Sequence, residues 1–138
     1  MEKCKIIIDT NLWISLLIGK RMLEMRSLCN DNFISVFICD ELKAEFMRVA
    51  SSEKIKRYAT KATAIQVLEL METSCSTISL QQNQTVSTTL RDINDLYLLL
   101  LADTVHADYI ITGDKDLLIL KKHNNTKIVT YNEFVASN

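Results

Sequence analysis

Short, uninterrupted apolar runs alternate along the chain with longer stretches of helical periodicity. Lys5 to Ile8 is the first such run and predicts a buried strand, followed by helices over Thr10 to Ile18 and Met22 to Cys29, with Gly19 and Lys20 as the break between them. Ile34 to Ile38 is β-branched and aromatic and predicts a second strand, after which Asp40 offers an N-cap for a helix from Glu41 to Ala50. One long helical region is expected from Lys54 to Thr73, then a third strand over Ser76 to Leu80 and a polar loop from Gln81 to Thr89. Helix follows from Ile93 to His106, strand from Tyr109 to Thr112, a short helix from Lys115 to Leu120, strand from Lys127 to Thr130, and a last helix from Asn132. Strands too apolar to leave a face in water, alternating with helices, imply an α/β fold: a central, mostly parallel sheet with helices on both faces.

Ligands of such sheets collect beyond the carboxyl ends of the strands. Asp9 directly follows Ile6-Ile7-Ile8, and Asp114 and Asp116 follow the strand Tyr109 to Thr112 across the turn at Gly113, so two strands end in aspartate. Helix capping is the ordinary explanation of an acid in that position, and it suffices for Asp9 alone or for one of Asp114 and Asp116. Glu45 sits at the margin of the apolar stripe Leu42, Phe46 and Val49, where it would border a cleft, whereas Glu41 lies further round toward solvent. Asp95 shares a face with Leu98, Leu99 and Ala102 on a helix that is apolar nearly all round, with Asp92 the better capping residue and Asp103 an outer acid or an ordinary exposed one. Carboxylates crowded at one sheet edge raise each other's pKa and oppose folding unless a cation joins them. An all-oxygen ligand set favours Mg²⁺ or Mn²⁺ over zinc.

Composition narrows the picture without redirecting it. The 138 residues fit one domain, 1–138, able to bury roughly two thirds of its unfolded surface, and 48% hydrophobic with 24% charged residues is a globular balance. The four cysteines stand singly, with no CxxC pair and no histidine at zinc spacing, and read as small buried hydrophobes in a reducing compartment. Lys3 and Lys5 precede an apolar run that Asp9 and Asn11 cut far short of a signal or membrane segment, so a soluble cytoplasmic protein is expected. With 16 basic against 17 acidic residues there is no global positive field, and contacts to nucleic acid must be local. Local candidates for phosphate contact are Lys20, Arg21, Lys54, Lys56, Arg57, Lys61 and Lys115, although a solvated helix face is the commoner explanation of such runs. Trp13 is expected in the core or at an interface, His106 at a helix end, and His123 in the polar turn Lys122-His123-Asn124.

The segments IIIDTNLWIS, ICDELKAEF, RDINDLYLLLLA and HADYIITGDKDLLIL, closed by IVTYNEF, stand in an order and spacing that resembles the PIN domain family, in its compact prokaryotic form often paired with an antitoxin. The resemblance spans essentially the whole chain and implies a PIN-like three-layer sandwich. It carries the family's four acidic positions onto Asp9, Glu45, Asp95 and Asp114, with Asp116 auxiliary, and suggests Asn11 and Thr112 as the residues that orient these carboxylates. The run Asp92-Ile93-Asn94-Asp95 has asparagine where family members commonly carry a further acid, which removes one charge near the third position. The implied activity is metal-dependent cleavage of RNA, by one or two Mg²⁺ or Mn²⁺ ions that activate water and stabilise the departing 3′-oxygen, leaving a 5′-phosphate. The implied partners are RNA, an antitoxin protein and a second copy of the chain. Two other classes compete: a catalytically idle PIN-like interaction module, and a phosphatase or phosphoacceptor domain. The latter is disfavoured because Asp9-Thr10-Asn11 lacks a second aspartate two residues on, and because an acid stands where a phosphoacceptor would want lysine after a late strand.

Overall fold

A computed structural model describes residues 3–80 and 96–137. Strand β1 (Cys4–Ile8) lies at the centre of the sheet, paired in parallel with β2 (Ile34–Cys39) on one side and with β4 (Tyr109–Ile111) on the other. Strand β3 (Ser76–Ile78) extends the sheet beyond β2, and β6 (Thr126–Val129) extends it beyond β4, both in parallel. The short strand β5 (Lys122–His123) closes the far edge antiparallel to β6, giving the order β3-β2-β1-β4-β6-β5. Consecutive residues Ile6, Ile7 and Ile8 are all essentially inaccessible, and since neighbours on a strand point to opposite faces, both faces of the sheet are covered.

The covering helices are α1 (Thr10–Ile18), α2 (Met22–Cys29), α3 (Asp40–Ala50), α4 (Glu53–Lys56), α5 (Lys61–Ser74), α6 (Leu96–Val105), α7 (Lys115–Leu118) and α8 (Tyr131–Ser137). Helix α6 packs on β1, β2 and β4, while α1, α3 and α5 pack against one another and α2 and α3 rest on β2. Trp13 of α1 and Phe46 of α3, two helices in contact, are both fully buried in the core. Trp13 is therefore a core residue. Cys29 and Cys75 meet at 3.8 Å between their Sγ atoms, and all four cysteines are free thiols. None of the helices among the described residues is long and apolar enough to cross a membrane.

The break after α1 falls at Gly19 and Lys20 as expected: Lys20 takes a left-handed φ of 56° while Gly19 stays right-handed, and Arg21 N–H closes onto Leu16 O at 2.9 Å in the usual helix-ending loop. Three local features depart from the sequence expectation, each for an identifiable reason. Asp40 is the first residue of α3 and not its cap; Cys39 holds that position without a side-chain bond, and Asp40 instead pairs with Lys43 at 3.3 Å. The long helix expected from Lys54 to Thr73 is two helices, because the Thr60 side chain accepts from Thr63 N–H at 3.2 Å and so starts α5 afresh. The turn expected at Lys122-His123-Asn124 is partly strand: Asn124 adopts φ 51°, which asparagine tolerates, and lets His123 pair with Thr126. His123 is thereby buried against Asp103, Nε2 to Oδ2 3.1 Å, and Asn124 Nδ2 donates to the other Asp103 oxygen at 2.8 Å.

Candidate functional site

The parallel pairing of β1 with β4 determines what lies at their carboxyl ends. Ile8 is in register with Ile111, so the next residues, Asp9 and Thr112, emerge side by side at the point where the sheet order reverses direction. Thr112 Oγ1 donates to Asp9 Oδ2 at 2.7 Å in a buried contact. Asp9 occupies the N-cap position of α1, yet apart from a contact with the adjoining Thr10 N–H its side chain makes no capping hydrogen bond into the helix. Capping therefore does not account for this carboxylate, which is only 3% exposed.

Its electrostatic surroundings work against ionisation. Burial pushes the Asp9 carboxyl above the usual aspartate range; Glu45 and Asp114 push it further, against the opposing hydrogen bonds from Thr112 and the Thr10 N–H. Glu45 arrives from the middle of α3, at the half-buried margin of the Leu42 and Phe46 stripe. Its Oε2 accepts hydrogen bonds from Tyr97 Oη and, more loosely at 3.4 Å, from Thr10 Oγ1; the two hydroxyls lie 3.1 Å apart. Tyr97 is a hydroxyl that reading the sequence passed over. Its signal was present, since it is the one polar side chain in the apolar run Leu96 to Ala102. Burial and the adjoining Glu45 raise the Tyr97 pKa, so the phenol stays protonated and keeps donating.

Asp114 follows β4 and does cap α7, its Oδ1 accepting from Asp116 N–H at 2.9 Å. Its own N–H is held by Thr112 Oγ1 at 3.0 Å, so one threonine hydroxyl donates to Asp9 and accepts from the Asp114 backbone. Replacing that hydroxyl by a methyl group, Thr112→Val, is expected to leave a partly buried N–H unsatisfied and to lower stability by about 1–3 kcal/mol in urea unfolding. The same variant removes a group that favours ionised Asp9, so the acid limb of any pH–activity profile moves to higher pH.

The remaining sequence candidates divide. Asp116 is half-buried beside Asp114, and Lys115 is exposed at the start of α7. Asn11 is exposed on α1 and makes no side-chain hydrogen bond among the described residues. Asp103 belongs with His123 and not with the acids at the strand ends. Arg21 is held by Glu24 through two bonds of 2.6 and 2.7 Å and lies over the Tyr131 ring. Lys20, Lys54, Lys56 and Arg57 are exposed. Asp92, Asn94 and Asp95 lie outside the described residues.

The site's fitness for a divalent cation rests on its donor chemistry. Asp9, Glu45 and Asp114 offer only oxygen, and their mutual repulsion is what a cation relieves. Among the described residues, however, no three His, Cys, Asp or Glu side chains stand close enough together to enclose an ion. The three acids share a field without forming a ready ligand set.

A model of the PIN domain matches residues 5–116, a span that contains Asp9, Glu45, Asp95 and Asp114. The chain belongs to the PIN domain family. PIN domain proteins are nucleases at the level of the superfamily. Among solved structures, this PIN domain is similar to VapBC2 from Rickettsia felis, bound to a DNA fragment from their promoter, at 14% identity and TM-score 0.54 over 90% of this chain and 96% of that one. It is also similar to the RRP44 PIN domain of T. brucei, at 16% identity and TM-score 0.53 over 98% of this chain and 80% of that one. At such identities the likeness is one of fold. No curated protein matches the sequence.

Proposed function

We propose that this PIN domain is a divalent-metal-dependent endoribonuclease, a single-domain cytoplasmic protein acting as the toxin of a toxin–antitoxin pair and working as a homodimer. The observation that carries the nuclease reading is Asp9: a buried carboxylate, unused as a cap, held by Thr112 and facing Glu45 and Asp114. The toxin role rests on the compact PIN-like sequence pattern, and on the fold shared with VapBC2.

In this reading Asp9, Glu45, Asp95 and Asp114 hold Mg²⁺ or Mn²⁺, with Asp116 auxiliary. The cation supplies charge neutralisation at the scissile phosphate and an activated water. The chain's own residues do the positioning. Thr112 fixes the Asp9 carboxylate, Tyr97 and Thr10 fix Glu45, and Asp114 is anchored at both its backbone N–H and its Oδ1. Burial of Asp9 and Thr10 keeps bulk water from screening the site. RNA contacts are assigned to Lys20, Lys54, Lys56, Arg57 and Lys115; Arg21, tied to Glu24, contributes less to them.

The test is cleavage of single-stranded RNA with Mn²⁺, with EDTA, and with Asp114→Asn in Mn²⁺. Activity present only in the first is expected. A catalytically idle interaction module is the second reading, favoured by the lack of a ready ligand set among the described residues. A parent chain that neither binds Mn²⁺ in calorimetry nor cuts RNA would decide for it.

A further inference from the structure

Two concavities adjoin on the helical side of the molecule, of 390 and 320 Å³, sharing Lys56, Ala59 and Thr60 in their walls. Lys61 lines the first, while Lys20, Arg57 and Tyr58 line the second. No carboxylate lines either one, in a chain whose net charge is −1. Lys20, Lys56, Arg57 and Lys61 are exposed, and none forms an ion pair among the described residues, although ion pairs occupy Arg21, Lys43 and His123 elsewhere. Tyr58 stands 58% exposed at the turn between α4 and α5.

We propose that this double concavity is a track for single-stranded RNA, with the four cations on successive phosphates and Tyr58 stacked on a base. Three independent properties favour that occupant: positive charge without an ion-pair partner among the described residues, a concave floor with small apolar residues such as Ala59 and Ala64, and an exposed aromatic ring in the wall of the second concavity. The fold connects the track to the acids. Helix α1 begins beside Asp9 and ends at Ile18, roughly 12 Å away at the rise of a helix, with Lys20 just beyond that end, and α3 carries Glu45 in its middle and ends at Ala50 in the wall of the first concavity. A strand with a phosphodiester between the acids would have to span that distance along α1 to reach the basic track. Its biological sense rests on the nuclease reading, but its occupancy is measured without cleavage.

The test is fluorescence anisotropy of a short, unstructured, fluorescein-labelled RNA against the full chain in EDTA over a series of salt concentrations. Lys56→Gln with Arg57→Gln is expected to reduce the slope of log affinity against log salt by about 1.4, at about 0.7 for each single-strand phosphate that is no longer neutralised. Tyr58→Ala is expected to weaken binding about tenfold, Tyr58→Phe to retain it, and Lys127→Gln, at an exposed position of β6, to leave it unchanged. Groove variants that bind as the parent does overturn the proposal. So does a loss of equal size from Lys127→Gln, which would make the effect one of general charge, or capture of an acidic peptide in place of RNA. A parallel cleavage assay in Mn²⁺ separates the two readings: groove-dependent binding without cleavage removes the nuclease and leaves the track, while cleavage with groove-independent binding does the reverse.

Discussion

Asp9→Asn is expected to cripple RNA cleavage while making the metal-free protein more stable. The carboxylate is buried among Glu45 and Asp114, so its folded pKa lies above the ordinary 3.8. An acid whose pKa is raised on folding holds its proton more tightly in the folded state. Its contribution to stability is therefore present at low pH and is lost as pH rises from about 4 through the folded value; at neutral pH the ionised group weighs against the fold. Asparagine keeps the shape and can still accept from Thr112, yet carries no charge to be desolvated. Thermal unfolding in EDTA at neutral pH should show the variant more stable by on the order of 1 kcal/mol, with the difference shrinking in mild acid. Added Mn²⁺ should reverse the ranking, because only the parent gains by binding it. Cleavage should fall on the order of a thousandfold, the scale seen when one preorganised electrostatic group is removed from a site. A variant no more stable than the parent in EDTA at neutral pH would show that Asp9 is not under the strain described.

Trp13→Ala is expected to have the largest effect on folding. The indole is fully buried in the core cluster, and its removal leaves a cavity that α1 and α3 cannot close without moving. A loss of about 3–5 kcal/mol follows for such a truncation, a large part of the stability of a chain this size. Because α1 carries Thr10 and follows Asp9, the damage should extend to the site. Trp13→Phe separates the causes: Trp13 Nε1 has no hydrogen-bond partner among the described residues, so phenylalanine forfeits volume and no hydrogen bond there. Urea unfolding should place Phe well above Ala. Equal losses would mean that the N–H, and not the volume, matters.

The parallel sheet was legible in the sequence because apolar runs as dense as Ile6-Ile7-Ile8 have no other stable home, and the acids at the strand ends were legible for the same reason. What the sequence concealed was local competition and long-range contact. Thr60 looks like an ordinary helical residue until its hydroxyl is seen to cap α5, and the hairpin at Asn124 depends on a positive φ that asparagine tolerates without advertising. Asp9 could be read as a cap or as a site residue from sequence alone. Only the register between Ile8 and Ile111 turns its carboxylate toward Thr112. Tyr97 was hidden by its company, since a tyrosine among leucines reads as core. Its hydroxyl acquires a role only where α6 meets α3, and there it holds Glu45.

The partnership of Asp9 with Thr112 joins residues 103 positions apart in the chain. A polypeptide emerging from the ribosome carries Asp9 long before it has a β4 to lay beside β1. That carboxylate is made early and set in place late. On the proposed ribonuclease reading, a nascent chain that ends short of β4 would lack the contact that positions Asp9.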